Sequence, residues 1–465
     1  MTVTVNPQYT EWEATWQKMR DCISQDAVKA AGNRYLPWTA GMLKREEDET
    51  GVGLRAYNSY KKRARFDPAL ATIVEDSLGL AFAEPWTIVV PEALEPFVES
   101  ATPDGASLQV ALRDTVSEQL IVGRDGILRD WTGGPSPESY AVKYPAESIV
   151  NWVDHLDTDT GEMVLDRVDL LESATLWIGG QWTEEATYRV LIMEDGEYTV
   201  YAGLDENEMD TLPEDKRAEM RFAGQPILKI PFYFAGVKNY TADVEQPPNL
   251  KAANISLAKY IASADYGQAL FMQGQGTFAG TGLTVEDQKK IDLLGAEGTV
   301  FSTEADAKLF FVELAGVGLT EMRLDQENFA RQLEECGVSL PVESSQESGR
   351  ALQMRLTSKT AGLKMINLTA AAVYERLLKD MGEQMGLGEK ELDRIVVKPY
   401  LGFGDQIVTR ADARSTLDAH SAGAPIPMEA VHADYKLAGV SMLDDFEKDR
   451  DTRDAEAPTG MEAVE

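Results

Sequence analysis

The chain has 465 residues, 43% of them hydrophobic, which suffices for a sizeable core and more than one domain. Its net charge of −34 at pH 7 excludes a protein that grips nucleic acid over its whole surface, because phosphate contacts require concentrated Lys and Arg. Two cysteines exclude a disulfide framework. With no signal peptide and no apolar run near the ~20 residues of a membrane span, we expect a soluble protein from a reducing compartment.

The N-terminal region is predicted to be helical, with one helix over residues 9–31, a break at 32–37 and a helix at 67–80. Between them lies a basic patch that includes Tyr57 and Tyr60. Basic residues interleaved with aromatic ones suit nucleic-acid contact. In so acidic a chain we favour ion pairs with carboxylates of the same chain or of an adjacent copy. The cations are Lys44, Arg45, Arg55, Lys61, Lys62, Arg63 and Arg65.

Residues 85–234 are predicted to form a helix at 107–121 and a twisted antiparallel sheet. The segment Gly123-Arg124-Asp125-Gly126 has turn chemistry ahead of a strand. Taken together, this half and the helices that follow predict an α+β fold. The predicted strands are 86–90, 127–128, 148–154, 163–172, 187–193, 197–202 and 227–234.

Two short stretches resemble ligand loops without meeting their requirements. In the acidic turn 154–162, a calcium loop starting at Asp157 would find its glycine one position early, so we predict a solvated hairpin tip. The glycine-rich stretch 274–282 follows a helix instead of a strand and lacks the Lys-Ser/Thr pair of a phosphate loop. We interpret it as a flexible joint to a small module with a helix at 285–293 and strands at 299–301 and 309–312.

Three helices dominate the second half of the chain. The first is predicted over 250–272, with Asn249 placed to cap it, and the second over 319–336, ending before Gly337. The third begins with the capping-box pattern of residues 344–347 and carries an apolar stripe to Met381. A strand at 394–400 and helices at 409–420 and 428–438 follow, and the acidic tail is predicted to be disordered.

A catalytic site is not indicated. The sequence has three histidines, His155, His420 and His432. None of them is separated from a cysteine or a carboxylate by the spacing typical of metal ligands, and no nucleophile elbow or zinc-protease motif occurs. We therefore predict no enzymatic activity, no catalytic residues, no cofactor and no metal. A carboxylate-metal hydrolase or nuclease stays open as an alternative, because aspartates are abundant.

The order of these elements, with several short stretches, resembles the portal (head-to-tail connector) proteins of tailed bacteriophages. Each stretch is weak alone, and their order and spacing over nearly the whole chain carry the resemblance. The short acidic C-terminal region departs from the pattern, which argues against a large crown. The stretches are 16–22, 35–37, 60–66, 123–128, 144–152, 254–260, 263–266 and 348–354.

The resemblance implies a portal-type fold with an α/β wing, two stem helices, a small α/β clip, a tunnel loop, a long wing helix and a small helical crown. The implied boundaries are wing 1–246, stem helix 247–273, clip 274–315, stem helix 316–336, tunnel loop 337–348, long helix 349–386, wing and crown 387–442, and acidic tail 443–465. The loop residues implied to reach the ring axis are Gly337, Val338, Ser339, Leu340, Pro341, Val342 and Glu343, and candidate DNA-facing cations follow at Arg350, Arg355 and Lys359.

The resemblance also implies a role. A ring of twelve copies at the capsid portal vertex of the virion, made in the bacterial host cytoplasm, would pass double-stranded DNA during packaging and ejection without binding it tightly. Implied partners are the terminase large subunit, the scaffold and major capsid proteins and a head-tail adaptor, with no membrane. Another ring-forming head-tail structural protein is a further alternative, although it would need no long paired stem helices.

Overall fold

The computed structural model confirms the α+β class. It describes residues 4–133, 136–158, 161–274, 277–285, 306–312, 317–336, 349–402, 410–422 and 424–437. The strand 299–301, residues 337–348, the tail 443–465 and, except for Val285, the predicted helix 285–293 lie outside these ranges.

The N-terminal layer is helical. A single helix over residues 9–31 was wrong, because the chain turns after Asp21 and Ser24 caps a second helix by accepting from the Ala27 amide. Gly32 has a φ of +54°, which favours glycine and ends that helix. The bounds are α1 Pro7–Asp21, α2 Gln25–Ala31, α3 Ala40–Asp48, α4 Val52–Arg63, α5 Ala69–Ala81, α6 Glu95–Glu99 and α7 Leu108–Val122.

The strands form several antiparallel sheets instead of one. A five-stranded sheet has the order β4-β5-β6-β7-β8, and a three-stranded sheet has the order β11-β2-β3. Strand Thr87–Val89 (β1) pairs with Val396–Lys398 (β14) from the far end of the chain, so the strand after the third long helix joins the N-terminal half. The bounds are β1 Thr87–Val89, β2 Arg124–Trp131, β3 Ser139–Pro145, β4 Ile149–Leu156, β5 Met163–Ile178, β6 Gln181–Glu194, β7 Glu197–Leu204, β8 Arg217–Glu219, β9 Arg221–Phe222, β10 Gln225–Pro226 and β11 Phe232–Gly236.

The remaining elements are the long helices and short pieces that follow them. Leu250 begins α8 as predicted, with the side chain of Asn249 donating to the Leu120 carbonyl at 2.9 Å. The bounds are α8 Leu250–Gly274, β12 Thr277–Thr281, β13 Lys308–Val312, α9 Val317–Cys336, α10 Gly349–Gln384, α11 Glu389–Leu392, β14 Val396–Lys398, α12 Arg410–Ser421 and α13 Met428–Leu437.

The second half of α10 lies in the main hydrophobic core. Its predicted apolar stripe is buried from Leu363 to Met381 and packs against α7, β11 and β14. This stripe confirms the spacing argument, because residues three and four apart share one helix face. The buried members are Leu363, Ile366, Ala370, Val373, Leu377 and Met381.

Replacing Leu377 by alanine is expected to lower the free energy of unfolding by about 2–5 kcal/mol, because its side chain is fully buried and leaves a cavity. Leu368→Ala on the same helix is the matched control, since Leu368 is 46% exposed and should change stability by about 0.5 kcal/mol or less. Urea unfolding followed by circular dichroism measures both. Equal losses from the two variants would contradict the assignment of the core face.

Strand β2 buries charges where the sequence indicated a turn. Gly123, at φ +82°, caps α7, and the chain enters the strand at once, so only Gly123 belongs to a turn. Arg124 is fully buried, with its guanidinium carbon 4.0 Å from the Trp152 ring and 4.4 Å from the Phe234 ring. Burial lowers the pKa of Arg124 to about 9. Asp125 is also fully buried, and one of its oxygens accepts from the Gly126 amide at 3.0 Å.

Asp125 predicts a pH dependence of stability. Burial raises the pKa of Asp125 well above 3.8, with nearby Glu118 acting in the same direction. The folded state therefore keeps a proton that the unfolded chain releases, so this contribution is complete below the unfolded pKa and is lost as pH rises toward the folded pKa. In Asp125→Asn that loss is absent. The stability of the variant relative to wild type should thus increase steadily above about pH 4 in urea titrations; a constant difference would contradict it.

Candidate assembly and DNA-facing surfaces

Helices α8 and α9 form a pair of rods that extends away from the helices and sheets of residues 4–236. The pair is held at the base, where Leu333 of α9 packs with Ala252 of α8 and Ile73 of α5. Toward its C-terminal end α8 becomes exposed, including the apolar side chains of Leu270, Phe271 and Met272 at 40–48%. The rods therefore carry apolar surface beyond what one chain covers.

Helix α9 has almost no core of its own. Among its side chains that the structure describes, Leu333 alone is buried. Met322 and Leu324 are each 38% exposed, and two positions on a helix differ by about 200°, so apolar groups lie on opposite sides of the rod. The helix also carries five carboxylates against two arginines. A 20-residue helix with this pattern needs further packing partners.

Side chains of helix α4 contact helix α8. The Tyr60 hydroxyl donates to Asp265 of α8 at 2.7 Å, and an Arg63 nitrogen donates to Gln268 at 3.0 Å. The Arg63 guanidinium also lies 3.6 Å from the centre of the Phe271 ring. These contacts could not be predicted from local pattern, because they join positions 205 residues apart.

The basic patch is not a stacking surface for bases. Tyr57 and Tyr60 are buried, and the Tyr57 ring is stacked on Trp38 at 4.9 Å. Within the described ranges, its cations also form no ion pair with a carboxylate of this chain, which corrects that part of the expectation. Pairing with an adjacent copy stays a prediction. The cations concerned are Lys44, Arg45, Arg55, Lys61, Lys62, Arg63 and Arg65.

The module between the rods is described in part. Strands β12 and β13 pair antiparallel over five residues each, from Thr277 opposite Val312 to Thr281 opposite Lys308. The interpretation of residues 274–282 as a flexible joint was therefore wrong for 277–281, where the alternating sequence pairs as a strand. Strand 309–312 is confirmed.

The predicted tunnel residues Gly337, Val338, Ser339, Leu340, Pro341, Val342 and Glu343 lie outside the described residues. Arg350, Arg355 and Lys359 lie in the first turns of α10, as predicted for a helix that follows the loop. Their side chains are not among those described. The structure thus places the ends of the two helices, Cys336 and Gly349, on either side of the loop segment.

Two of the histidines have hydrogen-bond partners. His155 faces Asp166 across β4 and β5 at 2.9 Å, a pair that the sequence did not reveal, and the His420 ring nitrogen donates to the Ile426 carbonyl at 2.6 Å. The turn between β4 and β5 is a hairpin tip, as predicted, with the Gly161 amide donating to the Asp157 carbonyl. Within the part of the chain that the structure describes, no group of three or more His, Cys, Asp or Glu residues could hold a metal ion.

A cleft of about 1040 Å³ lies between α10 and strands β4, β5 and β11. Two of its carboxylates join different elements: Asp380 accepts from Lys229 at 2.5 Å and from the Tyr233 hydroxyl at 2.6 Å, and Glu375 accepts from the Val397 amide at 3.2 Å. These two carboxylates hold α10 against its neighbours. No helix in the described ranges has the length and apolar character needed to cross a membrane.

Comparison with known proteins places one match on the rods. A family model described as a domain of unknown function (DUF4055) matches residues 248–385, the span of α8, α9 and α10. No curated protein matches the chain.

Similar solved structures come from gene transfer agent (GTA) particles. A chain of the virion of the native particle is 14% identical, covers 86% of this chain and 93% of its own, and has a TM-score of 0.41. A chain of the neck of the empty particle, computed with C6 symmetry, is 13% identical (87% and 95% covered, TM-score 0.39). A chain of the neck of the native particle, computed with C12 symmetry, is 12% identical (86% and 94% covered, TM-score 0.39). These are likenesses of fold along most of both chains.

Proposed function

We propose that this chain is a portal-type ring protein, a DNA conduit at the unique vertex of a phage-like capsid. Copies stand side by side through the α8–α9 rods and leave a central hole. The observation that carries the proposal is α9, a 20-residue helix with one buried side chain among those described and apolar groups on opposite sides. Such a rod is stable only when neighbours cover it.

The charge of the chain suits a conduit. Double-stranded DNA is densely anionic, and a wall that binds phosphates would slow its passage. At −34 per copy, and with an acidic, exposed α9, the ring repels the duplex, while salt confines this repulsion to about 8 Å at physiological ionic strength. Arg350, Arg355 and Lys359, in the first turns of α10, provide brief contacts next to the loop.

The implied parts then follow the chain. Residues 1–246 form the wing, 274–315 the clip that meets the terminase large subunit during packaging and the head-tail adaptor afterwards, and 337–348 the tunnel loop. The scaffold and major capsid proteins surround the ring in the virion, twelve copies close it, and no catalytic step is required of the chain. The paired rods favour a portal over another ring-forming head-tail protein, which needs no such stem.

Electron microscopy of the purified protein tests the proposal. Rings with a central hole are expected, and their fraction should rise with salt because like-charged copies repel less when screened. Mass photometry at several protein concentrations measures the fraction of the protein that is in rings. A stable monomer of 51.2 kDa at every salt and protein concentration would contradict the proposal.

A further inference from the structure

A β-ribbon arm extends beyond the five-stranded sheet. Strand β4 pairs with β5 only as far as Leu170, and β7 pairs with β6 only from Tyr188, so residues 172–187 pair with one another alone. At about 3.3 Å per residue the arm reaches roughly 23 Å from the sheet. The consecutive residues 181–186 are all exposed, which means that both faces of this ribbon lack cover within one chain.

Two tryptophans stand at the end of the arm. Trp177 and Trp182 are directly opposite each other, their ring centres are 5.0 Å apart in an edge-to-face arrangement, and they are 60% and 70% exposed. A two-stranded ribbon is at best marginally stable alone in water, and exposed paired indoles are the side chains that most often anchor interfaces. Between Val168 and Tyr188 the chain has no Lys or Arg, and Glu184 and Glu185 are exposed beside the tryptophans.

The outer face of α4 has the opposite charge. Leu54, Arg55, Asn58, Ser59 and Lys62 are exposed along it, whereas the inner face holds the buried tyrosines. Leu54 is 46% exposed, and no acidic residue occurs between residues 50 and 66. Within the described ranges neither Arg55 nor Lys62 forms a salt bridge, although the Glu46 carboxylate of α3 accepts from the Leu54 amide at 2.9 Å and lies near Arg55. This face therefore offers an apolar side chain next to two cations that form no salt bridge.

We infer that the arm of one copy docks on the outer face of α4 of the next copy. The indoles of Trp177 and Trp182 cover Leu54 and stack with the Arg55 guanidinium, and Glu184 and Glu185 lie against Lys62. The arm and the α4 face are different surfaces, so the contact is heterologous, and heterologous contacts form a ring when the rotation between copies closes. Local attraction of this kind offsets repulsion between acidic copies. The inference rests on the proposed ring, since it names the contact that joins its wings.

Disulfide trapping between two separately purified variants tests the contact. Both carry Cys336→Ser; one has Thr183→Cys on the arm and the other Asn58→Cys on α4. Cys22 is not expected to form a disulfide, because burial raises the pKa of its thiol to about 12. The mixture should form cross-linked pairs at least about tenfold more than a mixture of the Thr183→Cys and Leu228→Cys variants, in which residue 228 is exposed on a different loop.

A second measurement covers the tryptophans themselves. Trp177→Ala with Trp182→Ala should raise the protein concentration at half assembly by about tenfold or more, while the urea unfolding midpoint stays unchanged because the arm lies outside the core. Equal cross-linking in both mixtures, or an unchanged midpoint, would overturn the arm contact. Micrographs of the same samples distinguish the two proposals. Rings that form without the cross-link would contradict the contact between the arm and α4 and leave the ring proposal intact. Cross-linked pairs that form no rings would contradict the proposed DNA conduit.

Discussion

Deleting residues 337–343 is expected to leave rings intact and to reduce DNA packaging to background. The loop joins the end of α9 at Cys336 to the start of α10 at Gly349, and the deletion keeps five residues between them. Five residues are enough to connect two helices, for which 2–8 are common. The rods and their contacts are therefore retained, while the apolar segment proposed to reach the axis is lost. DNA protected from added nuclease in particles built with the variant measures packaging.

The control replaces the same seven residues by a glycine-serine segment of equal length. If the side chains of the loop act on the duplex, this variant also fails to package; if the loop acts by filling the passage, it packages in part. Micrographs of both variants must show rings of normal diameter. Normal packaging by the deletion would refute the assignment of the tunnel loop.

The spacing of apolar residues predicted the long helices on which the proposed function depends. The stripe of α10 follows from spacings of three and four, and it matched from Leu363 to Met381 because long amphipathic helices are determined by local pattern. The antiparallel hairpins between 149 and 204 were indicated in the same way by alternating residues and turn chemistry. What these elements share is that neighbours in sequence decide their shape.

Tertiary context decided the features that the sequence missed. Gly123-Arg124-Asp125-Gly126 has the composition of a solvated turn, yet rings from Trp152 and Phe234 enclose Arg124 inside the wing. Strand β5 runs six residues past its predicted end at 172, because cross-strand partners in β6 extend it without any apolar alternation. The cations of the basic patch were expected to pair with carboxylates of the same chain or of an adjacent copy, and they form no salt bridge within the described part of this chain. Pattern alone does not show which surface another copy will cover.

Replacing Met322 and Leu324 by glutamate is expected to abolish ring formation without unfolding the chain. Both side chains are 38% exposed in one copy, so the monomer loses about 1 kcal/mol or less per site. In a ring, neighbours would bury these positions, and a carboxylate buried without a partner costs about 3–5 kcal/mol. That cost raises the concentration needed for half assembly by more than about a hundredfold, since each 1.4 kcal/mol is tenfold. Mass photometry across a dilution series gives this midpoint.

Exchanging the two side chains, as Met322→Leu with Leu324→Met, provides the matched control, because apolar area and volume are kept. This variant should assemble near the wild-type midpoint. Glutamates that leave the midpoint within threefold of wild type would show that these sides of α9 face solvent in the assembly, and the rods would then have no role in holding copies together. If the glutamate variant instead stays monomeric and melts like wild type, the exposed apolar sides of α9 are an interface between copies, which is what a helix without a core of its own requires.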